Sequence, residues 1–117
     1  MTREVPREEW ESYLNSVSGE YQGCRVDIRV ENNEIGNELL VERRPLIAIE
    51  PDWHHDTIII ITADPEVADP AELRHFITQP TAIYSQEDEL GGVKTIDFES
   101  RDEGKTLLAI GLPVEVG

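Results

Sequence analysis

Cysteine, lysine and long apolar runs are all scarce in this chain of 117 residues. Cys24 is the single cysteine, so no disulfide can form within the chain, which is typical of proteins from a reducing cytoplasm. The longest apolar run, residues 58–61, is far shorter than the ~20 residues that a membrane-spanning helix needs. The first residues contain no apolar segment of the secretory type. We therefore expect a cytoplasmic protein that does not associate with membranes.

Positive charge is equally scarce. The chain has 25 acidic residues against 10 basic ones, a formal net charge of −15, and Lys94 and Lys105 are the only lysines. Such a charge repels phosphate backbones, so we expect no binding to nucleic acid or to anionic membranes. Three explanations of the acidity stay open: adaptation to a high-salt cytoplasm, the ordinary acidity of a small bacterial protein, or an acidic face for a basic protein partner.

The first predicted element is an amphipathic helix. Pro6 suits the first turn of a helix, and Glu8 and Glu9 complement the positive end of its dipole. Four apolar side chains then follow at the spacing of one helical face: Trp10, Tyr13, Leu14 and Val17. Gly19 predicts the end of the helix, and the apolar face should pack on the core of the chain.

After Gly23 the apolar residues recur with a period of two, which predicts strands. The first strand begins at Cys24 and runs to Val30. Further strands are expected over residues 38–43, 46–50, 57–62, 82–87, 93–99 and 105–112. Residues 64–79 combine a helix-capping pattern with strand-like residues, so we expect a proline-rich connection with at most one short helical turn.

These elements predict one domain, residues 1–117, of the α+β class. It should consist of an N-terminal amphipathic helix packed on a mostly antiparallel, curled β-sheet of about six or seven strands. Curling is expected because residues 58–61 are apolar on both faces of their strand, and both faces then need cover. Cover of the second face by another subunit, in a homodimer, is the alternative.

The tetrapeptide Trp53-His54-His55-Asp56 contains the densest group of chemically active side chains. Two imidazoles and a carboxylate are suitable ligands for zinc, nickel or iron, and His75 would add a third nitrogen if the fold brought it near. The candidate metal ligands are therefore His54, His55, Asp56 and His75, and a polar loop with an aromatic lid is the alternative. Asp97 and Glu99 share an outward strand face, where we expect solvated surface charge.

The opening residues, Thr2-Arg3-Glu4-Val5-Pro6-Arg7-Glu8-Glu9-Trp10, resemble those of a family of short acidic prokaryotic proteins catalogued as a domain of unknown function. Arg44-Pro45-Leu46, Pro80-Thr81 and Gly104-Lys105-Thr106-Leu107-Leu108 add to the resemblance, which spans nearly the whole chain. The family has no assigned activity or catalytic residues. The resemblance therefore implies a stand-alone α+β domain and no chemistry.

The sequence contains no recognisable catalytic constellation. Our leading hypothesis is a non-enzymatic protein-interaction or self-associating accessory module that needs no cofactor. The alternative is a metal- or small-ligand-binding protein, or an enzyme, that uses the loop around Trp53, His54, His55 and Asp56.

Overall fold

The computed structural model describes residues 1–32, 34, 36–64, 71–101 and 104–111. Strands hold 64% of these residues and helices 14%. The chain begins with strand β1 (Thr2–Glu4), a 3-10 helix (Arg7–Glu9) and helix α1 (Trp10–Glu20). The strands that follow are β2 (Arg25–Asn32), β3 (Gly36–Asp52), β4 (Thr57–Ala63), β5 (Glu72–Thr78), β6 (Pro80–Glu87), β7 (Val93–Ser100) and β8 (Gly104–Ile110).

The eight strands in the described part of the chain form one antiparallel sheet in the order β1-β6-β7-β8-β2-β3-β4-β5. Strand β3 joins the two halves of this sheet, because its first part pairs with β2 and its second part pairs with β4. Pro45, which has no N–H group to donate, lies where β3 passes from one pairing to the other. Two strands were predicted over residues 38–50, and the structure has one.

The prediction of an α+β fold with six or seven strands in a curled sheet is wrong. Within the described residues the structure is mostly β, with eight strands and one short α-helix, and the sheet is open. Its two edge strands, β1 and β5, do not pair with each other. Neither was predicted: β1 has three exposed residues with no pattern, and β5 occupies residues that we interpreted as a connection.

One apolar core lies between the two halves of the sheet and under the helix. Trp10, Leu14 and Val17 of α1 are buried there, and Tyr13 is partly buried beside them. The core strands contribute the largest fully buried side chains, among them Phe98, Ile28, Leu46, Ile49, Ile58, Ile60, Ile77, Ile83, Ile96 and Leu108. The hydroxyl of Ser18 accepts a hydrogen bond from the backbone N–H of Ile49 at 3.0 Å, which ties α1 to β3.

The strand with apolar residues on both faces is β4. Ile58 and Ile60 belong to the core, whereas Ile59 and Ile61 point to the outward face of the sheet. Ile61 is nevertheless buried and Ile59 half-buried, so part of the outward face is covered while the sheet stays open. No helix in the described part of the chain has the length and apolar character needed to cross a membrane.

Candidate functional site

The tetrapeptide singled out in the sequence, Trp53 to Asp56, forms the tight turn between β3 and β4. The turn begins after Asp52, whose Oδ2 lies 2.8 Å from His55 Nδ1. This hydrogen bond lowers the pKa of the Asp52 carboxyl. The turn ends at Asp56, which has a φ of +48°, and its carbonyl accepts a hydrogen bond from the N–H of Gln79 at 2.8 Å.

The four candidate metal ligands are not brought together. His54, His55 and Asp56 are exposed in the turn, whereas His75 lies within β5 and pairs with Ile60. Strand residues rise about 3.3 Å each, so His75 lies about 10 Å along its strand from the end nearest the turn. Its Nε2 is instead 3.3 Å from Thr106 Oγ1. The described residues contain no group of three or more His, Cys, Asp or Glu placed to hold a metal ion.

Metal binding by the turn alone therefore stays a prediction. Elemental analysis of protein without an affinity tag tests it, because equimolar zinc or nickel would support the site. The Trp53 side chain, which the sequence suggested as an aromatic lid, leads to a different arrangement.

An indole recess lies beside this turn, and we use that name for the space bounded by Arg7, Glu8, Trp10, Glu11, Trp53 and Asp56. Its volume is about 320 Å³. The rings of Trp10 and Trp53 lie 6.3 Å apart between centroids and are inclined by 35°. Trp10 is only 2% exposed and its Nε1–H donates to the carbonyl of Val5 at 2.9 Å, whereas Trp53 is 42% exposed. The recess thus has one fixed indole and one accessible indole.

A guanidinium group already occupies one side of the indole recess. The Arg7 guanidinium carbon lies 4.7 Å from the centroid of the Trp10 ring, within the range of a cation–π interaction. Its Nη2 is 3.9 Å from Asp56 Oδ1, so the ion pair is long and both side chains are largely exposed. The sequence could not show this arrangement, because Trp10 and Trp53 are far apart in the chain and only the fold makes them neighbours.

A second, larger depression of about 900 Å³ lies between the β2–β3 hairpin and the β7–β8 turn. Its lining is polar and carries both signs of charge, with Glu31, Glu99 and Lys105 on neighbouring strands. The hydroxyl of Ser100 donates to the carbonyl of Thr78, so it is held by the backbone. The depression has no nucleophile with a neighbouring base among the described residues, and we assign it no chemistry.

Asp97 is the residue whose environment differs most from the expectation of solvated charge. It is 9% exposed, because it lies on β7 between β6 and β8. Burial raises the pKa of the Asp97 carboxyl, and the Lys105 ammonium group opposes this effect. A strand pattern indicates only that Asp97 points away from the core, and not that its strand is central, so the sequence offered no signal for this burial.

The exposed edge of β5 is the remaining feature with functional potential. Phe76 is 51% exposed and Leu73 40% exposed, and both belong to the six exposed large apolar side chains of the described residues. Glu72 and Arg74 lie on either side of Leu73 in the strand and form an ion pair of 3.0 Å. The sequence did not reveal this surface, because its pattern predicted a connection over residues 64–79.

Comparison with known proteins gives a family and no activity. The model of a family of unknown function (DUF5335) matches residues 1–116. An uncharacterized protein of Aquifex aeolicus (strain VF5) is 28% identical over 109 residues, which are 93% of this chain and 91% of the relative. No solved structure matches the chain. The family resemblance of the opening residues is thus confirmed, and the chain belongs to the DUF5335 family, whose function is unknown.

Proposed function

We propose that this protein is a non-enzymatic module that self-associates by pairing strand β5 with the same strand of a second copy. The observation that carries the proposal is the 51% exposure of Phe76 on an edge strand. Among the described residues, β5 pairs with β4 through all seven of its positions and with no strand on its other side. An edge strand presents backbone N–H and C=O groups to which another strand can bind.

The two edges of the sheet differ in how well they suit pairing. Strand β1 has only three residues, which gives a second chain little to bind. Strand β5 has seven residues, enough for an ordinary strand ladder. Association through β5 is therefore favoured over association through β1.

The outward face next to this edge has an apolar patch. Phe76 lies opposite Ile59 in the β4–β5 ladder, and Ile59 is itself only half-buried. Half of the Phe76 side chain is in contact with water in the isolated chain. A second copy aligned along β5 would cover part of this apolar surface, and its burial is favourable by about 25 cal/mol per Å².

Charge also favours this edge for self-association. The whole chain has a formal net charge of −15, so two copies repel each other at most of their surfaces. Along β5, however, Glu72 is balanced by Arg74, whose Nη2 lies 3.0 Å from the Glu72 carboxylate. The strand carries no net charge when His75 is neutral, and the repulsion between two copies is smallest where such a segment meets itself.

The sequence of β5 is compatible with a two-fold axis through His75. Antiparallel pairing about this axis aligns all seven residues of the strand with the second copy. It places Arg74 opposite Phe76 of the other copy, twice, which allows a guanidinium group to lie against each phenyl ring. It places Glu72 opposite Thr78, so no like charges face each other on the outward side.

Light scattering and analytical ultracentrifugation test the proposal, with molar KCl added to screen the net charge. We expect the wild-type protein to have the mass of a dimer and Phe76→Ser to have the mass of a monomer. Leu90→Ser is the matched control, because Leu90 is 97% exposed in the turn after β6 and is not part of the edge. A strictly monomeric wild type at high concentration, or a dimeric Phe76→Ser, overturns the proposal.

We infer further that the protein works in the cytoplasm. Its one cysteine, Cys24, is half-buried and has no disulfide, which suits a reducing compartment. Fractionation of cells that carry a tagged copy tests this location.

A further inference from the structure

We infer that the indole recess is a binding site for an arginine side chain presented by a basic segment of a protein partner. This inference goes beyond self-association, because the recess lies at the β3–β4 turn and the start of α1, and it uses none of the exposed side chains of β5. Three features of the recess favour such a ligand: the two indoles, the guanidinium group that already lies there, and the local charge.

The two indole rings form a preorganised surface on which a planar cation can stack. Trp10 is held in place by burial and by its hydrogen bond to the Val5 carbonyl before any ligand arrives. Trp53 rests against it with a centroid distance of 6.3 Å and is 42% exposed. The face of an indole ring is the strongest of the aromatic faces for attracting a cation. An accessible Trp held by a buried one thus offers that face at little cost in side-chain entropy.

Arg7 shows which chemistry the recess accommodates. Its guanidinium group lies 4.7 Å from the centroid of the Trp10 ring and 3.9 Å from an oxygen of Asp56. A guanidinium between an indole face and a carboxylate is the arrangement expected for a bound arginine. The 3.9 Å separation is too long for a good hydrogen bond, so Asp56 retains the capacity to bind a second donor.

The local charge selects a cation over an anion. Three carboxylates line the recess, those of Glu8, Glu11 and Asp56, against the single positive charge of Arg7. The surrounding protein has a formal net charge of −15, which attracts a basic partner and repels an acidic one. An arginine is favoured over a lysine, since its planar group stacks on an indole and binds a carboxylate with two N–H groups.

The size of the recess fits a side chain. Its volume of about 320 Å³ is at the lower end of the range of small-molecule pockets, and it is lined by six residues. One or two side chains of a partner fill such a space, while the rest of the basic segment can lie along the acidic surface. The occupant is therefore a peptide segment and not a bulky cofactor.

The chain provides its own probe for the test, because both of its tryptophans line the recess. A capped tetra-arginine peptide, titrated into the full-length protein at low salt, should change the tryptophan fluorescence saturably. A capped tetra-lysine peptide should bind about tenfold more weakly by calorimetry. Equal affinities for the two peptides, or a calorimetric signal without a change in fluorescence, would mean that the peptide binds elsewhere through charge alone, and would overturn the inference.

Two variants with the same change of charge complete the test. Asp56→Asn removes the carboxylate of the recess, and asparagine tolerates the φ of +48° at this position. Glu89→Gln removes an exposed carboxylate in the turn after β6. Asp56→Asn should weaken binding of the arginine peptide about tenfold, while Glu89→Gln should leave it within about twofold. Equal effects of the two variants contradict the site.

Repeating the titration with Phe76→Ser separates this inference from the proposed function. The recess should bind the arginine peptide with unchanged affinity in that variant. If Phe76→Ser is monomeric and still binds the peptide, the proposed dimer is separate from the recess and the inference holds. If the variant is folded and monomeric but does not bind the peptide, the peptide does not bind at the recess independently of β5, and the inference is refuted.

Discussion

The ammonium group of Lys105 lies 3.8 Å from Oδ2 of Asp97, on the neighbouring strand. The other carboxylate oxygen, Oδ1, is buried and has no hydrogen-bond partner in the described part of the chain. Burial of this carboxyl raises its pKa above the ordinary value of 3.8, and the Lys105 ammonium group opposes this effect only in part. Asp97 is therefore a group that destabilises the folded state when it is ionised.

The first prediction concerns the pH dependence of this effect. Because the pKa is raised in the folded state, the folded protein binds more protons than the unfolded chain between pH 3.8 and the raised pKa. The contribution of Asp97 to the free energy of unfolding thus falls as the pH rises through this window. Asp97→Asn should be more stable than the wild type at pH 7, by about 1 kcal/mol, and this advantage should shrink at acid pH.

Urea unfolding of both proteins at several pH values measures this difference, and the subtraction cancels the titration of the other carboxylates. Asp97→Asn that is less stable at pH 7 than the wild type would mean that the Lys105 ion pair outweighs the burial of Asp97.

The second prediction concerns Asp88, whose pKa is shifted in the direction opposite to that of Asp97. Its Oδ1 accepts hydrogen bonds from the N–H groups of Leu90 and Gly92, each at 2.9 Å, in the turn between β6 and β7. These bonds lower the pKa of the carboxyl, that from Gly92 most. The stability that they add is present above pH 3.8 and is lost as the pH falls through the lowered pKa.

Asp88→Asn should consequently lower the free energy of unfolding at pH 7 and should approach the wild type at acid pH. The same urea series measures it, with Asp97→Asn as the control of opposite sign. A deficit that persists unchanged at low pH would assign the effect to the shape of the turn and not to the charge of Asp88.

The third prediction compares two glycines that share a φ of +84°, Gly91 and Gly104. A Cβ atom at Gly91 would meet no heavy atom within 4 Å, whereas one at Gly104 would overlap the carbonyl oxygen of Glu31. Gly91→Ala should therefore cost only the left-handed backbone strain, about 1 kcal/mol. Gly104→Ala must in addition separate the β7–β8 turn from β2, and we expect a loss of at least about 3 kcal/mol.

Thermal unfolding of the two alanine variants makes the comparison, because the backbone strain is common to both and cancels. Equal losses of stability would show that the backbone at position 104 can move away from the Glu31 carbonyl without lowering the free energy of unfolding.

The sequence predicted those helices and strands that are determined by the spacing of apolar residues close together in the chain. The spacing of Trp10, Leu14 and Val17 predicted the buried face of α1, and all three are buried. The alternation near the C-terminus predicted two strands, which the structure has as β7 and β8, and Phe98 lies opposite Thr106 in their ladder. In both cases the residues that determine the structure are close together in the chain.

The features that the sequence did not reveal depend on neighbours that are distant in the chain. Strand β1 forms because it pairs with β6, where Arg3 lies opposite Ser85, and the N–H of Val5, which follows β1, donates to the Ile83 carbonyl at 2.8 Å. The burial of Asp97 and the contact of Trp10 with Trp53 arise in the same way. Strand β5 was not predicted for another reason. Glu72 completes a helix-capping pattern whose first residues lie outside the described part of the chain, whereas Glu72 itself pairs with Ala63 of β4.

The last prediction concerns the net charge and separates adaptation to salt from ordinary acidity. Arg3, Arg7, Arg44, Arg74 and Lys105 lie within 4.0 Å of carboxylates in the described residues. These few pairs face 25 acidic residues, so repulsion should outweigh attraction across the surface. The Debye length falls from about 10 Å at 0.1 M salt to about 3 Å at 1 M, while the radius of gyration is 13.9 Å. Molar KCl should therefore screen most of the repulsion and raise the free energy of unfolding by several kcal/mol.

Glu89→Lys tests whether charge causes the rise, because it changes the formal net charge from −15 to −13 at an exposed turn. We expect this variant to be more stable than the wild type in about 0.1 M KCl and to match it in about 1 M KCl. The Glu89→Gln control should fall between the two. If the free energy of unfolding rises with KCl by the same amount in all three proteins, KCl acts through the general exclusion of salt from apolar surface. The net charge would then not be the cause of the salt dependence.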